Sequence, residues 1–162
     1  MLRSFTLSII LLLLLVSCSG TTIKSEYQSL KGASWHKKDT ITFNFSELDT
    51  IEKHNIFINV RNDQNYPYSN LFLITELNYP NGDVVKDTLE YTMALPDGTW
   101  LGKGKGSLKE SKLWFRENIV FPSSGVYTLQ IVHAMRKNGS IPGVVDLEGI
   151  TDVGFQIEKN KQ

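Results

Sequence analysis

Between Ile41 and Glu158 apolar residues recur at every second position instead of every third or fourth, and that period decides the fold class. A strand turns successive side chains to opposite faces, so alternation gives each segment one apolar face to bury. Ile41, Phe43 and Phe45 alternate with Thr42 and Asn44, while Ile56, Ile58 and Val60 alternate with Asn59 and Arg61. Leu71, Leu73 and Leu77 share a face with Thr75, and Tyr127, Leu129 and Ile131 alternate with Thr128 and Gln130. Lys112 to Val120 and Ile150 to Glu158 complete the series. Pro80-Asn81-Gly82-Asp83 interrupts two β-rich runs, and Asn-Gly suits the positive φ of a tight hairpin turn, so 70–79 and 83–92 are expected to pair. Glu47 to His54 could form one helical turn, Leu108 to Trp114 reads as either state, and no segment sustains helical spacing. The expectation is an all-β fold, an antiparallel β-sandwich of about seven to eight strands.

The N-terminus stands apart from this pattern. Arg3 supplies a positive end, and Phe5 to Val16 is almost wholly apolar, about a dozen residues where a bilayer-spanning helix needs ~20. The segment therefore reads as a secretory signal. It ends Leu15-Val16-Ser17-Cys18, which resembles a bacterial lipobox, and Cys18 is the single cysteine of the chain. Exported domains that use cysteines for stability carry them in pairs, so a lone cysteine at the end of the apolar run is expected to be the lipid attachment point. The domain reading is a lipoprotein signal peptide at 1–17, a lipidated tether at 18–34 that lets the domain stand off the bilayer, a β-sandwich at 35–159 and a tail at 160–162. The covalent lipid on Cys18 is the one cofactor expected. Ser19 follows the cysteine with no acidic cluster behind it, which by resemblance to lipoprotein sorting in diderm bacteria implies the periplasmic face of the outer membrane.

Charge narrows the function. Seventeen basic and seventeen acidic side chains leave a net charge of zero over 162 residues, and nothing here would track a phosphate backbone, so nucleic acid is not an expected partner. Metal-binding spacing is absent: His36, His54 and His133 lie far apart, with neither a His pair nor a Cys partner. Gly-x-Ser-x-Gly does not occur, and Ser123-Ser124-Gly125 after Pro122 reads as a turn entering a strand. The alternating glycines of Gly98 to Gly106 lack the Gly-Lys-Ser/Thr ending of a phosphate loop and read as a flat face under Trp100 or a flexible loop. Carboxylate pairs such as Asp83 with Asp87 are what any chain with 17 acids offers, so no catalytic residue is assigned.

An aromatic-polar connection, Arg61 to Asn70, lies between two strands. Tyr66 and Tyr68 flank Pro67, present apolar area and a hydroxyl at small entropic cost, and suit a recognition surface at one end of the sandwich. Tyr66, Pro67, Tyr68, Asn70 and Trp100 are the candidate partner-binding residues, with the loop expected to face a partner and not the core. A tyrosine packed over the sandwich end with its hydroxyl on backbone is the structural alternative.

The segment from Arg61-Asn62 through Tyr66-Pro67-Tyr68-Ser69-Asn70-Leu71, then Asp87-Thr88-Leu89, Gly98-Thr99-Trp100-Leu101-Gly102, Gly125-Val126-Tyr127, Met135-Arg136 and Gly149 to Gly154, resembles the gliding-motility lipoprotein GldH family of Bacteroidetes. The ordered set runs from about Trp35 to Lys159 and includes the lipobox upstream, although the connection from Lys137 to Glu148 is longer than the family leads one to expect. The resemblance implies a lipid-anchored, non-enzymatic accessory of the gliding apparatus. It also implies protein partners within that apparatus or within type IX secretion, and it carries over no catalytic motif. Beside it stands a glycan- or peptide-binding lipoprotein using Tyr66, Tyr68, Trp100 or Trp35 as stacking platforms, and third an enzyme built on two carboxylates in a cleft.

Overall fold

The computed structural model describes residues 21–160; the signal peptide, Cys18 and the last two residues of the tail lie outside them. Ten strands run in chain order: β1 Thr22–Ser29, β2 Ser34–His36, β3 Ile41–Phe45, β4 His54–Asn62, β5 Asn70–Asn78, β6 Val84–Thr92, β7 Lys109–Ile119, β8 Tyr127–His133, β9 Asp146–Glu148 and β10 Ile150–Lys159. Eight of them make two four-stranded sheets, β1-β10-β4-β7 and β3-β8-β5-β6, and β2 with β9 forms a short third pair. All pairings are antiparallel. The all-β sandwich stands, with β1 and the two three-residue strands β2 and β9 added to the seven runs of alternation.

Alternation sets the register. In the second sheet Ile41, Phe43 and Phe45 face Ile131, Leu129 and Tyr127 across β3 and β8, and Thr75 and Leu77 of β5 pair with Ile131 and Leu129. In the first sheet Val153, Phe155 and Ile157 of β10 sit opposite Val60, Ile58 and Ile56 of β4. A one-residue slip would turn each of these sets to solvent, which is why the pairing is specific. The inward faces meet in one core, where Phe155 packs on Phe43 and Phe45 at ring separations of 5.0 and 5.2 Å. Trp35 is also fully buried there, so it offers no stacking platform.

Two readings of local structure are corrected and one left open is resolved. Residues 22–29 are not a tether: β1 pairs along β10 from Thr22 opposite Glu158 to Ser29 opposite Asp152, and it is held by its backbone because only Ile23, Lys24 and Tyr27 are half-buried. Glu47 to Lys53 is a loop without a helical turn, since the Asp49 carboxylate accepts the Ile51 and Glu52 amides at 2.7 and 3.0 Å. The ambiguous stretch from Leu108 to Trp114 is strand from Lys109, where β7 starts, with Leu113 and Phe115 inward. The hairpin of β5 and β6 forms as expected, from Asn70 opposite Thr92 to Asn78 opposite Val84, with Gly82 at φ +92° in its turn.

Most consecutive strands change sheets, so the connections run over the two ends of the sandwich. The loops after β3, β5 and β7 share the end where β1 begins. The loops after β4, β6 and β8 share the opposite end, roughly 27 Å away along nine-residue strands at ~3.4 Å per residue. The start of the described chain and the Tyr66 loop therefore lie at opposite poles.

Candidate functional site

Tyr66 is set by what the chain does after β4. The Asp63 amide donates to the Gly149 carbonyl at 2.8 Å, and the Asp63 carboxylate accepts the Asn65 amide at 2.8 Å, a tight turn that folds the loop back across the sandwich end. Gly149, at φ +81°, lies so close beneath it that a Cβ there would come within 2.1 Å of the Tyr66 nitrogen. Tyr66 is thereby driven into the core, 3% exposed, and its hydroxyl donates to the Asn70 carbonyl at 2.7 Å. Burial holds its phenol well above the ordinary tyrosine range. The expectation of a partner-facing Tyr66 is corrected: the desolvated ring and its satisfied hydroxyl make it part of the fold.

The other candidates divide. Tyr68 is half-buried, edge-on to Tyr66 with ring centres 5.8 Å apart, and half-buried Trp100 lies 6.0 Å from Tyr66 on another side. Pro67 is exposed, and half-buried Asn70 donates its side-chain amide to Glu90 at 2.9 Å. Pro67, Tyr68 and Asn70 line an open groove of about 880 Å³. Its other walls come from Leu95 and Pro96 after β6 and from Arg136 and Lys137 after β8. Trp100 does not line it. The groove combines a tyrosine face, the apolar Phe72, Leu95 and Pro96, the two cations Arg136 and Lys137, and one acid, Glu90, which is engaged by Asn70. Such a surface is able to take an extended chain with some acidic character.

The glycine-rich segment is neither flat strand nor phosphate loop. The Gly98 amide donates to the Leu95 carbonyl at 2.9 Å and closes a turn, while Lys103 pairs with Glu110 of β7. Gly104, at φ +148°, sits where a Cβ would meet the Leu108 carbonyl oxygen at 2.4 Å. Close approach of the Glu110 and Leu108 backbone accounts for Gly102 and Gly104, and left-handed φ of +86° and +68° accounts for Gly98 and Gly106.

Sequence reasoning missed a second surface, the outer face of the first sheet. Trp114 of β7 is 53% exposed and rests on Phe57 of β4 at 4.4 Å, with the Lys112 ammonium 4.0 Å from the Phe57 ring centre. Lys112 also pairs with Glu158 at 2.8 Å. One row away the Arg61 guanidinium lies 4.2 Å from the Tyr27 ring centre and donates to Glu110 at 2.6 Å. Those partners hold Arg61 above its usual range, and burial foremost raises Tyr27. The Tyr91 hydroxyl, pushed up to about 12 by burial, donates to the Trp114 carbonyl at 2.6 Å and fixes the edge of β7. The signal was present in the sequence, because alternation that turns Leu113 and Phe115 inward leaves Lys112, Trp114 and Arg116 outward.

Two histidines are buried without a hydrogen-bond partner on either ring nitrogen: His54, beside Phe121, and His133, edge-on to Trp35 at 5.5 Å. Burial foremost pushes both below the ordinary histidine value. Among the described residues no three His, Cys, Asp or Glu side chains are grouped to hold a metal, and no helix is long and apolar enough to cross a membrane.

Comparison with known proteins gives a consistent family. The GldH lipoprotein family model matches residues 22–157. A gliding motility lipoprotein GldH homolog of Christiangramia forsetii is 50% identical over 149 residues, which span 92% of this chain and 91% of that protein. Gliding motility lipoprotein GldH of Flavobacterium johnsoniae is 48% identical over 147 residues, 91% of each chain. Among solved structures, the infectious bursal disease virus VP2 subviral particle shares 17% identity at a TM-score of 0.38, over 86% of this chain and 34% of that one, a likeness too loose to inform its role.

Proposed function

The chain belongs to the GldH lipoprotein family, whose curated members are gliding motility lipoproteins, and on that footing we propose that it is a non-enzymatic part of the gliding apparatus. A lipid on Cys18 anchors it to the periplasmic face of the outer membrane, and the groove bounded by Tyr68 and Lys137 engages a protein component of the gliding or type IX secretion machinery. The observation that carries this reading is the polarity of the domain. β1 starts at one end, at Thr22, four residues after Cys18, while the groove opens at the other end. An anchor and a partner site so placed let the domain present its partner away from the bilayer. Arg136 and Lys137 favour an acidic stretch on that partner.

The test is affinity purification of the lipidated protein from gently solubilised envelopes, comparing wild type with Arg136→Glu/Lys137→Glu. Wild type should bring down named gliding or secretion subunits, and the charge-reversed protein should lose them while keeping its melting temperature. Equal recovery by both proteins would place the partner site elsewhere.

A glycan-binding reading has one observation in its favour, the exposed Trp114 ring braced on Phe57 and flanked by polar side chains. Oligosaccharide binding lost in Trp114→Ala but retained in the groove variant would support it.

A further inference from the structure

Cys18 and Thr21 are three residues apart, and the Lys159 amide donates to the Thr21 carbonyl at 2.9 Å, so the sheet has begun by that residue. Three residues of extended chain span at most about 11 Å. Resting on the proposed lipid at Cys18, this leaves no room for a domain that stands off the bilayer. The end of the sandwich from which β1 departs must lie against the lipid surface.

That end is built for contact. Two of its three loops carry exposed apolar side chains: Ile51, 85% exposed, in the loop after β3, and Val126, 58%, with Val120, 37%, in the loop after β7. The segments around Ile51 and Val126 are held by hydrogen bonds. The Asp49 carboxylate accepts the amides of Ile51 and Glu52, Glu52 pairs with Lys159 at 2.6 Å, and the Asn160 amide donates to the Lys53 carbonyl at 3.0 Å, tying the Ile51 loop beside the chain terminus. In the second loop the Tyr127 hydroxyl donates to the Ser123 carbonyl at 2.8 Å and accepts the Ser123 amide at 3.2 Å. Gly125 packs directly against Pro80 of the third loop. Lys24 and Glu47, like Glu52 and Lys159, face one another as ion pairs. The end therefore offers apolar tips beside two ion pairs, with the Asp49 and Asp83 carboxylates hydrogen-bonded within their own loops and exposed Lys53 able to reach headgroup phosphate.

We infer that this end is a membrane-docking surface: Ile51 and Val126 enter the headgroup region of the bilayer that holds the lipid anchor, and the domain stands with its strands upright and its groove outward. The loops hold the domain in one orientation where the lipid alone would let it swivel.

The test uses the full, lipidated protein, whose Cys18 sulfur is consumed by the lipid, so an introduced cysteine is the sole reactive thiol. Ile51→Cys, Val126→Cys and, at the far end, Leu101→Cys are each labelled with an environment-sensitive fluorophore. The proteins are then placed in vesicles of phosphatidylethanolamine with a minor share of phosphatidylglycerol. Labels at 51 and 126 should shift to the blue and be quenched several-fold more by brominated lipids than the label at 101. Vesicle-bound protein whose labels at 51 and 126 stay in water would overturn the docking while leaving the anchor intact. Disulfide-linked or fluorophore-stacked pairs through residue 51 would assign the surface to a second copy and overturn it equally. Protein that fails to float with vesicles, and whose mass shows no lipid on Cys18, would remove the premise and the docking with it.

Discussion

Replacing Tyr66 separates a ring that belongs to the fold from one that belongs to an interface. The side chain is 3% exposed and its hydroxyl donates to the Asn70 carbonyl at 2.7 Å. Tyr66→Phe keeps the ring and removes that donor, costing about 1 kcal/mol. Tyr66→Ala removes the ring from a site whose floor, Gly149 under the Tyr66 backbone, has no side chain with which to fill the void, and should cost about 3–5 kcal/mol. For a domain of this size each kcal/mol lowers the melting temperature by roughly 3 °C, so the two variants should fall by roughly 3 °C and roughly 10–15 °C. Urea unfolding of the unlipidated domain from Thr21 onward gives the free energies, and an unchanged slope against urea shows that the folded and unfolded states keep their exposure. Tyr66→Ala unfolding within about 1 kcal/mol of wild type, near the scatter of surface substitutions, would refute the burial argument and return Tyr66 to the partner surface.

Three further outcomes are expected. His54 and His133 have folded-state values below the ordinary ~6.5, so the unfolded chain binds protons that the fold refuses. Stability is then complete above about pH 6.5 and is lost as pH falls through it toward the folded values, and a double Gln variant, although less stable, should lose that slope in urea midpoints. A chain starting at Thr21 should give a β-dominated circular dichroism spectrum and unfold cooperatively, whereas one starting at residue 30 lacks β1, bares the β10 edge and should aggregate; equal stability of the two would contradict the role given to β1. Cys18→Ser should abolish radioactive palmitate incorporation and leave an uncleaved precursor, and labelled, processed mutant protein would show the lipid to be elsewhere.

The sandwich was legible because its central strands carry their instructions in side chains. Ile41, Phe43 and Phe45, or Leu71, Leu73 and Leu77, each bury one apolar row, and Asn81-Gly82 fixes the turn between β5 and β6. β1 was not legible, since Thr-Ile-Lys-Ser-Glu-Tyr-Gln-Ser at a sheet edge is bound through backbone groups that every residue possesses. β2 and β9 are too short for a period to show. Tyr66 was misread for a related reason: a buried and an exposed tyrosine have the same local sequence, and what decides between them is the distant Gly149, which leaves space for the loop to fold back. Pro67, Tyr68 and Asn70 do reach one groove, but one of its walls, with Arg136 and Lys137, comes from the loop after β8, which only the topology brings near. Trp114 was recoverable, being the outward member of an alternating strand.

The central claim is that the domain has two poles with different duties, anchoring at one and partner binding at the other. Site-specific photo-crosslinking in living cells tests it most directly, with a photoreactive residue placed singly at Pro67, Lys137, Ile51 and Val126. Adducts with protein components of the gliding or secretion machinery should arise from Pro67 and Lys137, while Ile51 and Val126 should yield none. Adducts from Ile51 or Val126 alone, with the groove positions silent, would contradict the account.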